Sequence, residues 1–273
     1  MVREKRVHQD DGKVGDLISV FNFERRNMKT RFFSNLLVAS LTATFLYAPS
    51  FAWSKDESSI NKTLTIIGYH EITNNKNALI PEYAVSETLF QQHIDWLKKE
   101  GYHFISVDQL LKANQGKYVL PNKPVLLTVD DGYASFYQYA YPIIKANKIP
   151  VVLAVVGSWL EPKENQKVNF SDELIPRSDM LSWNQLKEMQ SSGLVEIASH
   201  SYDLHRGILG NPQGNSEPAA VTRLYDPKTS TYEDDAHYQQ RITADLTQNN
   251  QLLLAHGIRS PRVMVWPYGR YNM

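Results

Sequence analysis

The chain contains no cysteine. Disulfides, thiol catalysis, cysteine-ligated metals and a lipidated N-terminal cysteine are therefore excluded, so no lipoprotein is expected. Charge of either sign is not in excess, with 29 Lys plus Arg against 29 Asp plus Glu. Without a net field, no nucleic-acid partner is expected. Internal repeats, low-complexity tracts and a second domain are also missing, and 273 residues suffice for one α/β domain. An unbroken membrane span is lacking too: the apolar run from Phe32 to Tyr47 is interrupted by Ser34, Asn35, Ser40, Thr42 and Thr44.

That run fits an export signal. Lys29 and Arg31 precede it, and Ser50-Phe51-Ala52 supplies a small-x-small cleavage site after Ala52. Residues 28–52 are expected to be a signal peptide, which places the mature protein in the periplasm, in the cell envelope or outside the cell. Residues 1–27 are polar and aperiodic, and are expected to be an upstream mis-start or a disordered extension before a true start at Met28. Residues 53–62 read as a linker and 63–273 as the folded domain.

Within that domain, apolar runs alternate with helical spacing. Strands are expected at Thr63–Tyr69, His103–Val107, Val125–Val129, Pro150–Val156, Leu194–Ala198 and Arg262–Trp266. Between them, Ser86 is the expected cap of a helix with Leu89, Phe90, His93, Trp96 and Leu97 on one face, and Asp108 the cap of a second. Pro142 should kink or restart the helical stretch from Tyr133 to Asn147. Ser182 and Gln185 form a capping box, and Tyr238 to Leu253 is a long helix. Residues 161–179 and 207–236 read as long loops. Six strands alternating with helices imply an α/β fold, a (β/α) barrel-like parallel sheet. The sequence stops soon after its last strand, so the barrel is expected to be incomplete at its C-terminus.

Active sites in parallel α/β folds lie at the carboxyl ends of the strands. Those ends carry His70, Asp130 with Asp131, Ser199-His200, and Pro267-Tyr268. His200 and His205 are five residues apart, which one helix face cannot align, so a loop must bring them together. Two histidines and a carboxylate such as Asp131 make a frequent divalent-metal set; the alternative is a pair of surface-loop histidines. Adjacent strand residues point to opposite faces, so Asp130 and Asp131 can both reach the rim only if the Asp131-Gly132 turn curls. Aromatic faces that could stack on a sugar are Tyr133, Trp159, Trp183, Tyr202 and Trp266, with Trp159 and Trp266 best placed near strand ends.

Thr128-Val129-Asp130-Asp131-Gly132 resembles the T-F-D-D-G motif of the polysaccharide deacetylase family (carbohydrate esterase family four). Gly68-Tyr69-His70, Val156-Gly157-Ser158-Trp159, Asp172-Glu173-Leu174, His200 to His205 and Val265-Trp266-Pro267-Tyr268-Gly269 extend the resemblance to the branch that de-N-acetylates poly-β-1,6-N-acetyl-D-glucosamine, a biofilm exopolysaccharide. The resemblance implies one divalent metal ion (Zn2+, Co2+, Ni2+ or Fe2+) on Asp131, His200 and His205. It also implies Asp130 as general base, His70 as general acid from a circularly permuted position, and the Tyr268 backbone N–H as oxyanion donor. Tyr133, Trp159 and Trp266 are the expected substrate contacts. The polymer is the expected partner, with an outer-membrane export porin beside it. Two departures stand out. The histidine spacing of five fits only the branch, and Val265 occupies the place of an arginine that orients the base in the wider family. The alternatives are a deacetylase of another N-acetylated glycan, such as peptidoglycan or a chitin-like polymer, and an inactive, truncated carbohydrate-binding domain.

Overall fold

A computed structural model describes residues 3–5, 18–20, 63–74, 78–170 and 173–271. The expected signal peptide and the linker at 53–62 lie outside the described residues. In chain order the elements are β1 (Arg3–Lys5), β2 (Ile18–Val20), β3 (Thr65–Tyr69), α1 (Glu87–Lys99), β4 (His103–Phe104), α2 (Val107–Asn114), β5 (Pro124–Val129), α3 (Tyr141–Asn147), β6 (Val151–Val155), α4 (Gly157–Leu160), β7 (Lys167–Phe170), β8 (Glu173–Pro176), α5 (Trp183–Ser191), β9 (Val195–Ser199), β10 (Gly207–Leu209), β11 (Ser216–Pro218), β12 (Tyr225–Asp226), β13 (Thr231–Tyr232), α6 (Asp235–Ala255) and β14 (Val263–Val265).

The fold is α/β around a curled parallel sheet. Neighbouring strands run β3-β5-β6-β9-β14, all parallel, and β4 pairs with the start of β5. β1 adds antiparallel to β3, and β2 adds parallel to β14. Both faces of the central strands are buried, and the two cores divide by residue parity. Val125, Leu127 and Val129 of β5 join Val151, Leu153 and Val155 of β6 beneath the helices. Leu126, Val152, Ala154, Ala198, Val263 and Val265 fill the other face, inside the curl of the sheet. This explains the unbroken apolar runs, because a strand covered on both sides has no polar face to show.

Several local expectations change. α1 is capped by Ser86 Oγ, which accepts from Leu89 N at 3.1 Å, but its buried face is Phe90, Ile94 and Leu97. Leu89 and Trp96 lie one position to the side and are exposed. Ser106, not Asp108, caps α2, because Gln109 three residues on completes a capping box that Asp108 cannot form. The stretch before β6 has a five-residue π-helical turn at Phe136–Ala140 and then restarts as α3 with Pro142 in its first turn. The two stretches read as loops contain short antiparallel hairpins: β7–β8 in the first, β10–β11 and β12–β13 in the second. Among the described residues, no helix is long and apolar enough to cross a membrane.

Candidate active site

The strand ends expected to carry the chemistry meet on one rim. His70, Asp130 and His200 share the parity of Ile66, Leu126 and Ala198, so they continue the inner face of the sheet to its carboxyl edge. The ladder extends into the site itself: Asp130 N donates to Tyr69 O at 2.9 Å and His200 N to Val155 O at 2.9 Å.

By parity Asp131 would follow Val129 toward the helices, but a tight turn reverses it. Gly132 N donates back to Asp130 O at 3.0 Å, and both Asp131 (φ 78°) and Gly132 (φ 85°) are left-handed. Asp131 is therefore a strained non-glycine residue at the centre of the site. A side chain at Gly132 would be strained by that backbone, and its Cβ would also stand 3.1 Å from Val155 Cγ1.

Asp131, His200 and His205 offer ligand atoms that all lie within 4.8 Å of one another. The Nε2 atoms of His200 and His205 each stand 3.4 Å from Asp131 Oδ1. That oxygen is buried and has no hydrogen-bond partner among the described residues. His200 Nδ1 lies 2.6 Å from the Val265 carbonyl, to which it must donate, so Nε2 presents its lone pair to the cluster. An orphaned carboxylate oxygen facing two imidazole nitrogens, one with its tautomer fixed from behind, fits a divalent cation. The residues also perturb one another. Burial works against the charge of Asp131, but the nearby His200 and His205 outweigh it and hold its carboxyl well below the usual range. Burial likewise opposes charge on His200, yet the Asp131 and Asp130 carboxylates raise its pKa. For His205 burial wins and lowers the pKa to about 4, despite Asp131.

The profile described as polysaccharide deacetylase matches residues 117–273. The chain belongs to the polysaccharide deacetylase family.

Relatives of this deacetylase-family chain include the poly-beta-1,6-N-acetyl-D-glucosamine N-deacetylase of Escherichia coli (strain K12), 39% identical over 189 residues, which are 69% of this chain and 28% of the relative. The protein of the same name from Staphylococcus aureus (strain MSSA476) is 28% identical over 194 residues, covering 71% of this chain and 56% of the relative. The chain thus spans well under two thirds of either relative's length. Among solved structures, a de-N-acetylase from Aggregatibacter actinomycetemcomitans matches with a TM-score of 0.72 at 38% identity, covering 77% of this chain and 81% of that one. The BpsB deacetylase domain from Bordetella bronchiseptica matches with a TM-score of 0.64 at 43% identity, covering 66% and 69%.

The aromatic residues expected to touch substrate divide. Tyr133 is only 1% exposed and donates its hydroxyl to Asp131 Oδ2 at 2.9 Å. It supports the carboxylate and offers no free ring face, which corrects its expected role. Burial and the neighbouring Asp131 charge push its pKa far up, so it remains a donor at every ordinary pH. Trp159 is 3% exposed, packed between Phe170 (ring centroids 4.7 Å apart) and His205 (4.9 Å), and shows only part of itself to the cleft. Trp266 is half-buried against Leu204, Ile208, Ala219 and Ala220. Trp183 instead stacks on His256 at 3.8 Å, and the Tyr202 hydroxyl donates to Glu161. Tyr268 is left-handed (φ 58°) and 43% exposed, with its ring 4.5 Å from that of His205. A cavity of about 490 Å³ opens beside His205, with Trp159, Tyr268, Asn169, Asp203, Arg206 and Glu217 among its walls.

Sequence reasoning missed two supports. Val265 does not replace the wider family's arginine with a side-chain contact; its side chain is in the inner core and its carbonyl holds His200. Arg177 is 1% exposed and spends its guanidinium on carbonyls, donating to Leu160 O (3.0 and 3.1 Å), Met180 O (3.1 Å) and Leu181 O (2.9 Å). It ties α4, which carries Trp159, to the segment whose Leu181 N donates to Gly132 O at 2.9 Å. An isolated arginine in a polar stretch carries no local signal of such a role.

Proposed function

We propose that this chain is the catalytic domain of a metal-dependent N-deacetylase that hydrolyses acetamido groups of poly-β-1,6-N-acetyl-D-glucosamine. The observation that carries the reading is the convergence of Asp131 Oδ1, His200 Nε2 and His205 Nε2 beside a second buried carboxylate, Asp130. The names of the relatives and the motifs around His70, Trp159 and Trp266 support the choice of polymer.

Asp131, His200 and His205 would hold the cation. Bound there, a divalent ion supplies Lewis-acid polarisation of the acetyl carbonyl and acidifies water. Asp130 takes the proton of the attacking water as the carbon–oxygen bond forms. The Tyr268 backbone N–H donates a hydrogen bond to the developing oxyanion. His70 then protonates the leaving nitrogen, since an imidazole can deliver a proton near neutral pH. Acetate leaves and a free amine remains on the sugar. The basic, apolar and small-residue order of 28–52 supports export to the cell envelope, and an exported polymer implies an outer-membrane porin as the further partner.

The test is acetate release from β-1,6-linked N-acetylglucosamine oligomers with Zn2+, Co2+, Ni2+ or Fe2+ added, beside chitin oligomers and peptidoglycan. Release from the β-1,6 oligomer alone is the expected result. Release only from chitin or peptidoglycan would move the substrate. No release with any metal, but retained binding of the polymer, would make the domain a binding module.

A further inference from the structure

The step of five between His200 and His205 cannot be set by a helix, whose own hydrogen bonds bring i and i+4 together. The backbone between them must take its shape from outside. Two of its carbonyls, Ser201 and Tyr202, accept from Gly157 N (3.1 Å) and Ser158 N (2.9 Å) of α4. Two of its consecutive N–H groups converge on one carboxylate of α6: Tyr202 N donates to Asp245 Oδ1 at 2.8 Å and Asp203 N to Asp245 Oδ2 at 2.7 Å. One turn further along the same helix, Asn249 Nδ2 donates to Ser199 Oγ at 2.7 Å, and Ser201 N donates to that oxygen at 3.2 Å. Ser201 sits between in a left-handed conformation (φ 73°), where the extra residue is absorbed.

We propose that Asp245 is a positioning residue for the metal-ligating loop. Its two carboxylate oxygens fix the backbone at Tyr202 and Asp203, and so set where His205 stands relative to His200. Hydrogen bonds from N–H groups to a carboxylate are charge-assisted and stronger than neutral ones. Groups that orient ligands from behind change metal affinity by about 10–100-fold when removed. The proposal rests on the reading of Asp131, His200 and His205 as a metal set.

Co2+ is the probe, titrated into the full chain and followed by its d–d absorption, with wild type, Asp245→Asn, Asp245→Ala and His200→Ala compared. Wild type is expected to bind, and His200→Ala to lose binding. Asp245→Asn keeps the shape but leaves one N–H facing an amide NH2. It is expected to bind at least about tenfold more weakly, with a shifted band, while its metal-free form still melts cooperatively. If Asp245→Ala fails to fold, the near-isosteric Asp245→Asn carries the comparison. Wild-type affinity and an unchanged band in Asp245→Asn would overturn the positioning role and leave the metal reading intact. Absence of binding in wild type would overturn the metal reading and the positioning role with it.

Discussion

The Tyr133 hydroxyl donates to Asp131 Oδ2 at 2.9 Å, while His200 Nε2 and His205 Nε2 each stand 3.4 Å from Oδ1 of the same carboxylate. One oxygen is anchored and the other is left to the imidazoles. Tyr133→Phe removes the anchor and keeps the ring that packs on Phe170 at 6.1 Å. Metal affinity is expected to fall by about tenfold, the lower end of the usual range for such supports. The metal-free fold should lose about 1–3 kcal/mol, because Oδ2 stays buried without its donor. Metal titration and urea unfolding measure the two effects separately; an unchanged affinity would show that the anchor does not govern the site.

Asp130 and Asp131 are adjacent, yet only Asp131 is drawn into the His200–His205 cluster. Asp130→Asn is expected to retain metal at wild-type stoichiometry and to lower acetate release by about 10²–10⁴-fold, the usual range for a general base. Metal content after dialysis, set beside turnover, decides it. A variant that loses its metal would mean that the two carboxylates share the ligand role.

The strand Pro124–Val129 and its carboxyl end were legible because two-sided burial writes an unbroken apolar run, and the run stops where the rim begins. His70, Asp130 and His200 were legible for the same reason. What was hidden arises from long-range geometry. Asp245 is one of two acids on a polar helix, and only the fold brings it to Tyr202 and Asp203. Tyr133 read as a sugar platform because an aromatic ring near a strand end looks alike whether its hydroxyl faces solvent or a carboxylate. The hairpins in 161–179 and 207–236 have strands of two to four residues, too short for alternation to register. Asp108 and Ser106 are both good caps two residues apart, and the reciprocal bond to Gln109 selects Ser106.

The metal-free protein should show a stability maximum near the ordinary histidine pKa of 6.5, because its two site histidines shift in opposite directions. His205 is depressed to about 4. Between about 4 and 6.5 it is protonated only when unfolded, so stability rises with pH by about 1.4 kcal/mol per unit. His200 is raised. Its stabilising contribution is fully present below 6.5 and is lost as pH rises through its folded value, so stability then falls. Urea midpoints across pH measure the profile. His205→Gln should remove its contribution to the rise between about 4 and 6.5, and His200→Gln its contribution to the fall above 6.5. A flat profile in the wild type would show that neither imidazole is shifted in the apo state.

Gly157 offers a way to disturb the His200–His205 loop without touching a ligand or the Asp245 carboxylate. A Cβ at this position would press on Asn249 Oδ1 and lie 2.9 Å from Tyr202 Cδ2. Neither neighbour moves cheaply. Asn249 is fully buried and bonded to Ser199, while the Tyr202 backbone is pinned on one side by Asp245 and on the other by Ser158 N. The strain should therefore pass into the loop itself. Gly157→Ala is expected to cost about 1–3 kcal/mol in urea unfolding, the usual range for overpacking a tight contact. It should also weaken metal binding, since the loop that carries His205 must shift to admit the methyl group. A stability loss with no change in metal affinity would mean that α4 yields instead of the loop, and that the loop is held more firmly from the α6 side than from α4.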